Sequence, residues 1–127
     1  MRRGLQIVLG ILSLMPLTFG LLNTVFGAKL FVPEEALTTA IDSQFRFQSA
    51  WYLGLAAIIW WIIPKVERQT TLFRVIVFFI FLGGLARVLS AATVGMPAND
   101  MFFGMILELC VLVLIPWQAR VARDAKR

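Results

Sequence analysis

The sequence predicts an all-α integral membrane protein, a bundle of four transmembrane helices with short connections. Hydrophobic residues make up 60% of the 127 residues and charged residues only 15%, against roughly a quarter charged in an ordinary soluble domain. A chain this short cannot hide so much apolar surface from water, because small domains bury too small a fraction of their surface. The mean hydropathy of +0.85 therefore indicates that the folded chain is solvated by a membrane.

Four stretches are long and apolar enough to cross a bilayer, which takes about 20 apolar residues. They cover residues 4–26, 43–63, 71–93 and 100–118, and together they form one predicted domain over residues 1–127. A cleaved signal peptide is the alternative for the first stretch, since two arginines precede the apolar run. The length of that run, and the lack of a clear small-residue cleavage site before Lys29, favour an uncleaved first helix.

The connections between these stretches are short. The longest covers residues 27–42, where Pro33 followed by two glutamates suits a short interfacial helix. Residues 94–99 are a tight turn between the third and fourth helices, and Asn99 is the expected N-cap of the fourth. The third and fourth helices are therefore expected to be antiparallel neighbours.

Basic residues are distributed very unevenly between the two sides of the predicted bundle. Of the twelve, only Lys29 falls on the side of the first and third connections, and two, Arg46 and Arg87, lie within spans. The remaining nine fall on the other side: Arg2, Arg3, Lys65, Arg68, Arg74, Arg120, Arg123, Lys126 and Arg127. Because cytoplasmic loops are enriched in Lys and Arg, we expect a multi-pass membrane protein with both termini in the cytoplasm.

Composition also limits the chemistry. The chain has no histidine and one cysteine, Cys110, which excludes an internal disulfide, His-ligated haem and most zinc sites. We predict no catalytic residues and no cofactor, because the usual nucleophile and base sets are missing, and the sequence does not decide whether a metal binds. The net charge of +5 reports topology rather than nucleic-acid binding, so membrane lipid is the expected surrounding.

Two charges lie deep within the predicted spans. Arg87 is about 9 Å from the outer end of the third helix and Glu108 about 12 Å from the outer end of the fourth, at 1.5 Å per residue. A charge in the middle of a bilayer costs about 2.5 to 3.5 kcal/mol on insertion scales. Since the two helices are expected to be neighbours, an Arg87–Glu108 ion pair is the simplest way to satisfy both charges.

A second charged pair is expected where the second helix begins. Asp42 and Arg46 are four residues apart, a spacing that places them on one helix face. With neighbouring polar residues they complete a predicted polar cluster in the periplasmic half of the bundle, open towards the periplasm. Its candidate residues for binding a ligand or ion are Asp42, Arg46, Gln48, Arg87, Ser90 and Glu108.

Two interpretations of this cluster stay open. It is either a structural network that fixes helix register and oligomeric state, or a cavity that binds an ion or an anionic lipid headgroup. Arg46 and Arg87 together carry one more charge than the buried Glu108 can balance, which favours an anionic ligand, although Asp42 can cancel the excess positive charge. Small residues on the third helix, Gly83 and Ala86 among them, would let another helix approach closely.

The order of these motifs resembles a family of short bacterial four-helix inner-membrane proteins that is catalogued as a domain of unknown function. The resemblance covers nearly the whole chain and rests on D-x-Q-x-R at 42–46, G-x-x-R-x-x-S at 84–90, G-x-P at 95–97, and Glu108. It implies a homotrimer in the inner membrane with a role in the integrity of the cell envelope. It implies no catalytic activity.

The sequence allows three classes of function. A non-enzymatic envelope protein agrees best with the charges and with the resemblance. A small ion or solute transporter or channel is the alternative. Against proton coupling, an arginine beside Glu108 would hold the carboxylate ionised. An enzyme is the least favoured class.

Overall fold

The computed structural model describes all residues, 1–127, and the chain is helical with no strand. Its helices are α1 (Arg2–Phe26), α2 (Thr39–Ile62), α3 (Thr70–Thr93), α4 (Asn99–Cys110) and α5 (Leu114–Asp124). One 3₁₀ turn, Val111–Val113, joins α4 to α5, so that the two form one long helical segment. The chain thus has four helical segments long and apolar enough to cross a membrane, and the predicted all-α class is confirmed.

The helices differ from the prediction mainly at their ends. The second begins earlier, at Thr39, because the Thr38 hydroxyl caps it and accepts a hydrogen bond from the Ile41 N–H at 3.2 Å. The fourth continues past residue 118 to Asp124, with Val121 buried on one face. The predicted Asn99 cap is wrong by one position, since Asn99 is the first helical residue and Ala98 precedes it without a side-chain cap.

The chain divides into two compact units. The α1–α2 unit covers residues 6–64 and is an antiparallel helical hairpin. The Trp60 indole N–H donates to the Ser13 hydroxyl at 2.8 Å, and the Gln6 amide donates to the Ile63 carbonyl at 2.8 Å. The connection holds 3₁₀ turns at Gly27–Leu30 and Glu34–Ala36, the second at the place of the predicted interfacial helix.

The α3–α5 unit covers residues 1–5 and 65–127. α3 packs against α4 along their length, as the tight turn between them requires. Its core includes Phe73 and Val77 from α3, Met105 from α4 and Leu114 from α5, all less than a tenth exposed. The single domain predicted over residues 1–127 stays a prediction.

Large apolar side chains are exposed along the outer faces of the helices. On α1, Ile7, Ile11 and Leu14 recur at helical spacing and are each more than half exposed. On α3, Phe78 and Phe79 are also more than half exposed. A water-soluble monomer rarely carries so much contiguous apolar surface. These faces suit contact with lipid tails or with another apolar helix.

Candidate functional site

The α3–α5 unit contains the ion pair predicted for the two intramembrane charges. The Arg87 Nε–H donates to Glu108 Oε2 at 2.9 Å. The Arg87 side chain is 35% exposed and that of Glu108 is 21% exposed. The predicted pairing of Arg87 with Glu108 is therefore confirmed, and the pair lies at the surface of the isolated chain rather than sealed in a core.

Two glycines of α3 allow the close approach that makes this pair possible. A Cβ added at Gly84 would lie 3.1 Å from Glu108 Cβ and 3.1 Å from Leu109 Cδ2. One added at Gly83 would lie 4.0 Å from Glu108 Oε2. A larger residue at position 84 would require Glu108 and Leu109 to shift by a few tenths of an ångström, so this glycine helps to set the distance at which the carboxylate meets Arg87.

Arg87 keeps unused hydrogen-bonding capacity. A guanidinium group carries five N–H donors, and one of them bonds Glu108. Within its unit the structure shows no other hydrogen bond or ion pair to Arg87. Four donors at a partly exposed site can therefore reach an anionic or carbonyl oxygen outside this unit.

The α1–α2 unit contains the second predicted pair. The Arg46 Nε–H donates to Asp42 Oδ2 at 2.8 Å across one turn of α2, as the spacing predicted. Asp42 Oδ1 also accepts the Ala28 N–H at 3.0 Å. Arg46 Nη1 donates to the Thr24 carbonyl at 2.8 Å and to the Val25 carbonyl at 3.2 Å.

These bonds give the second pair a structural task. The last carbonyls of a helix lack intrahelical donors and carry partial negative charge. Arg46 covers those at the end of α1, and Asp42 fixes the turn that follows. Gly27 in that turn has a φ of +67°, and a Cβ there would overlap the Asp42 carboxylate. Most of the hydrogen-bonding groups of Asp42 and Arg46 are thus already bonded within the chain.

The other two candidate residues are less constrained. Gln48 and Ser90 are both exposed, and the structure shows no side-chain hydrogen bond to either in its own unit. Asp42, Arg46 and Gln48 belong to the α1–α2 unit and the other three candidates to the α3–α5 unit, so the gathering of all six into one cluster stays a prediction. No group of three or more His, Cys, Asp or Glu side chains that could hold a metal ion is present.

Sequence reasoning missed the burial of Gln118. The Gln118 side chain is 0% exposed, and its amide donates to the Val66 carbonyl and to Thr70 Oγ1, both at 2.9 Å. Its Oε1 is buried without a partner. The available signal was a glutamine at the end of an apolar run, which is easily read as the end of the span rather than as an interior contact.

The fold and the site together define an all-helical protein with four helices that could span a membrane and with charged pairs inside them. Residues 4–118 match a family described as a domain of unknown function, DUF4345. The chain belongs to this family, as the motifs at 42–46 and 84–90 had indicated. Searches of curated proteins and of solved structures found no match.

Proposed function

We propose that this chain is a non-enzymatic protein of the bacterial inner membrane that supports the integrity of the cell envelope. Copies of it assemble through the Arg87–Glu108 pair into a homo-oligomer, a trimer by the family resemblance. One observation carries the proposal: a charged pair within helices long enough to span a membrane is bonded internally and still partly exposed.

In a membrane, the exposed part of the Arg87–Glu108 pair would lie among apolar groups. Next to Arg87 on α3, Leu85 is 44% exposed and Leu89 is 65% exposed, so the surroundings suit lipid tails. A charged group in contact with hydrocarbon costs about 2.5 to 3.5 kcal/mol on insertion scales. A second copy that places polar atoms on the four unused Arg87 donors removes that cost.

The unused N–H donors of Arg87 indicate which kind of ligand would fit this site. Guanidinium groups form charge-assisted bonds with carboxylate and phosphate oxygens. An anionic lipid headgroup or a small anion between copies therefore suits the unused donors of Arg87, although the pairing of Asp42 with Arg46 cancels the excess positive charge considered from the sequence. This contact would hold the assembly together rather than carry out a reaction.

The assembly is tested by the mass of the complex in mild detergent. Wild-type protein is expected to run as a homo-oligomer in native mass spectrometry, and Arg87→Ala is expected to give mostly monomer. Arg74→Ala is the matched control, because Arg74 is an exposed arginine of the same helix outside the pair. Equal oligomer fractions for wild type and Arg87→Ala would refute an assembly based on this pair.

The envelope role is tested in cells that lack the protein. We expect these cells to admit a dye that intact cells exclude. Wild type and Arg74→Ala should restore the barrier, and Arg87→Ala should not. Restoration by Arg87→Ala at equal expression would contradict the link between the pair and the envelope.

Transport is the competing function from the sequence. The bond between Glu108 and Arg87 argues against it, because a carboxylate that carries a proton or an ion has to exchange its partners in every cycle, and this one is already bonded to an arginine at 2.9 Å. Purified protein in liposomes is expected to add no proton or potassium flux above that of empty liposomes. A flux that Glu108→Gln abolishes would favour the transporter instead.

A further inference from the structure

A basic cleft lies at the end of the α3–α5 unit where α3 begins. Its volume is about 690 Å³, and Arg2, Glu67, Arg68, Thr70 and Lys126 are among the residues that line it. This end of the unit is far along α3 from Arg87, which is the eighteenth of its 24 residues. The cleft is therefore distinct from the Arg87–Glu108 pair.

The cleft has an excess of positive charge. Three cationic side chains face one carboxylate, that of Glu67, which leaves a formal charge of +2. Arg2 Nε lies 3.1 Å from Glu67 Oε2, so Arg68 and Lys126 supply the excess. Asp124 lines an adjoining recess of about 430 Å³ that shares Arg2 with the cleft, and counting Asp124 still leaves a positive sum.

Thr70 provides an oriented hydroxyl donor. Its Oγ1 accepts a hydrogen bond from Gln118 Nε2 at 2.9 Å, and Gln118 is held in place because it is fully buried and also bonds the Val66 carbonyl. Gln118 meets this hydroxyl only as a donor, and the structure shows no acceptor for the Thr70 hydroxyl within its unit, so the hydroxyl proton can be donated to a ligand. Thr70 lines the cleft, which places such a donor at its wall.

The start of α3 adds a favourable electrostatic field. Thr70 is its first residue, the preceding Gln69 makes no side-chain cap bond, and the first turn contains no acidic residue. The first backbone N–H groups of a helix lack intrahelical acceptors and favour an anion. In α2, by contrast, Thr38 caps the helix and Asp42 lies in its first turn.

From these observations we infer that the cleft binds a phosphate group through Arg68, Lys126 and the Thr70 hydroxyl. The group belongs either to an anionic lipid headgroup of the inner leaflet or to free phosphate. A phosphate carries the negative charge that the two cations attract and the acceptor oxygens that the hydroxyl requires. The site lies among the nine basic residues predicted to face the cytoplasm.

The test titrates the full purified chain in neutral detergent with two probes in parallel. The first is phosphatidylglycerol in a background of phosphatidylcholine, with lipid adducts counted by native mass spectrometry. The second is inorganic phosphate at constant ionic strength, read from the unfolding midpoint. Wild type is expected to bind at least one probe. Retention of phosphatidylglycerol alone identifies a headgroup, and stabilisation by inorganic phosphate identifies a site for the free anion.

Matched variants separate a built site from general attraction between opposite charges. Arg68→Gln and Lys126→Gln each remove one positive charge from the cleft. Each should lower the affinity for the probe that binds wild type about fivefold, since one basic residue near an anionic surface contributes about that factor. Arg3→Gln and Arg120→Gln remove the same charge from exposed arginines outside the lining and should leave binding unchanged.

Two outcomes would overturn this inference. Equal weakening by all four variants would show that binding follows net charge alone, and failure of both probes to bind wild type would show that the cleft has no affinity for phosphate. Unfolding midpoints without ligand show whether each variant is folded. Thr70→Ser, which keeps the hydroxyl, is expected to retain binding even if an arginine variant is poorly folded.

Discussion

At the scale of single residues, the Arg87–Glu108 pair depends on a residue that carries no charge. Glu108 can reach Arg87 because Gly84 lets α4 come within contact of the α3 backbone, where an added Cβ would meet Glu108 and Leu109 at 3.1 Å. Small residues serve this purpose in membrane helices because they let backbones approach. The Arg87–Glu108 bond therefore depends on Gly84 as well as on the two charges.

Gly84→Ala is expected to lower the unfolding midpoint of the detergent-solubilised protein. The new methyl group displaces Glu108 and lengthens its bond to Arg87. Gly54→Ala is the control, because a Cβ at Gly54 meets nothing within 4 Å and alanine is favoured over glycine in a helix by about 1 kcal/mol. An unchanged midpoint for Gly84→Ala would show that the approach of the helices is not tight.

Arg46→Ala is expected to loosen the end of α1. It removes the donors that reach the Thr24 and Val25 carbonyls and leaves Asp42 without its cation. Hydrogen exchange of the amides in residues 24–32 should speed up, while amides of α3 keep their rates. Exchange that rises equally in both helices would indicate global destabilisation instead of a local cap.

The sequence was sufficient to predict both charged pairs, for different physical reasons. The four-residue spacing of Asp42 and Arg46 is local, and the tight turn after α3 sets Arg87 and Glu108 at one level. The capping of α1 by Arg46 and the bond from Trp60 to Ser13 could not be predicted, because each depends on how one helix is rotated about its axis against another. Hydropathy does not determine that rotation.

At the scale of elements, the fourth membrane segment differs most from its prediction. Apolar residues continue without a break through residues 111–113, so the sequence gives no sign of the 3₁₀ turn that divides α4 from α5. Beyond it, Gln118 and Val121 are buried and Arg120 is exposed. α5 is therefore amphipathic and continues past the apolar run that defined the predicted span.

Gln118→Leu is expected to destabilise the α3–α5 unit by about 1 to 3 kcal/mol, the cost of leaving buried polar groups without partners. The Val66 carbonyl and the Thr70 hydroxyl would both lose their donor. Chemical unfolding of the purified protein measures the change, with Gln48→Leu, an exposed glutamine, as the control. A Gln118→Leu protein as stable as wild type would show that these bonds contribute nothing net.

At the scale of the whole molecule, nine basic residues on one side of the predicted bundle lead us to expect both termini in the cytoplasm. In a Cys110→Ser background, Ala98→Cys should react with a membrane-impermeant maleimide added to cells whose outer membrane is permeable. Arg127→Cys should react only after lysis. The reverse pattern would place the termini outside the cytoplasm and would remove the proposed phosphate cleft from the inner leaflet.

The central claim is that opposite charges within helices long and apolar enough to span a membrane stabilise this protein by bonding to each other. Exchanging them tests it most directly, through the unfolding midpoint and oligomer fraction of Arg87→Glu, Glu108→Arg and the double variant. Each single change places two like charges in contact and should lower both quantities, and the double variant should recover much of the loss. A double variant at least as damaged as the sum of the two single changes would contradict the account.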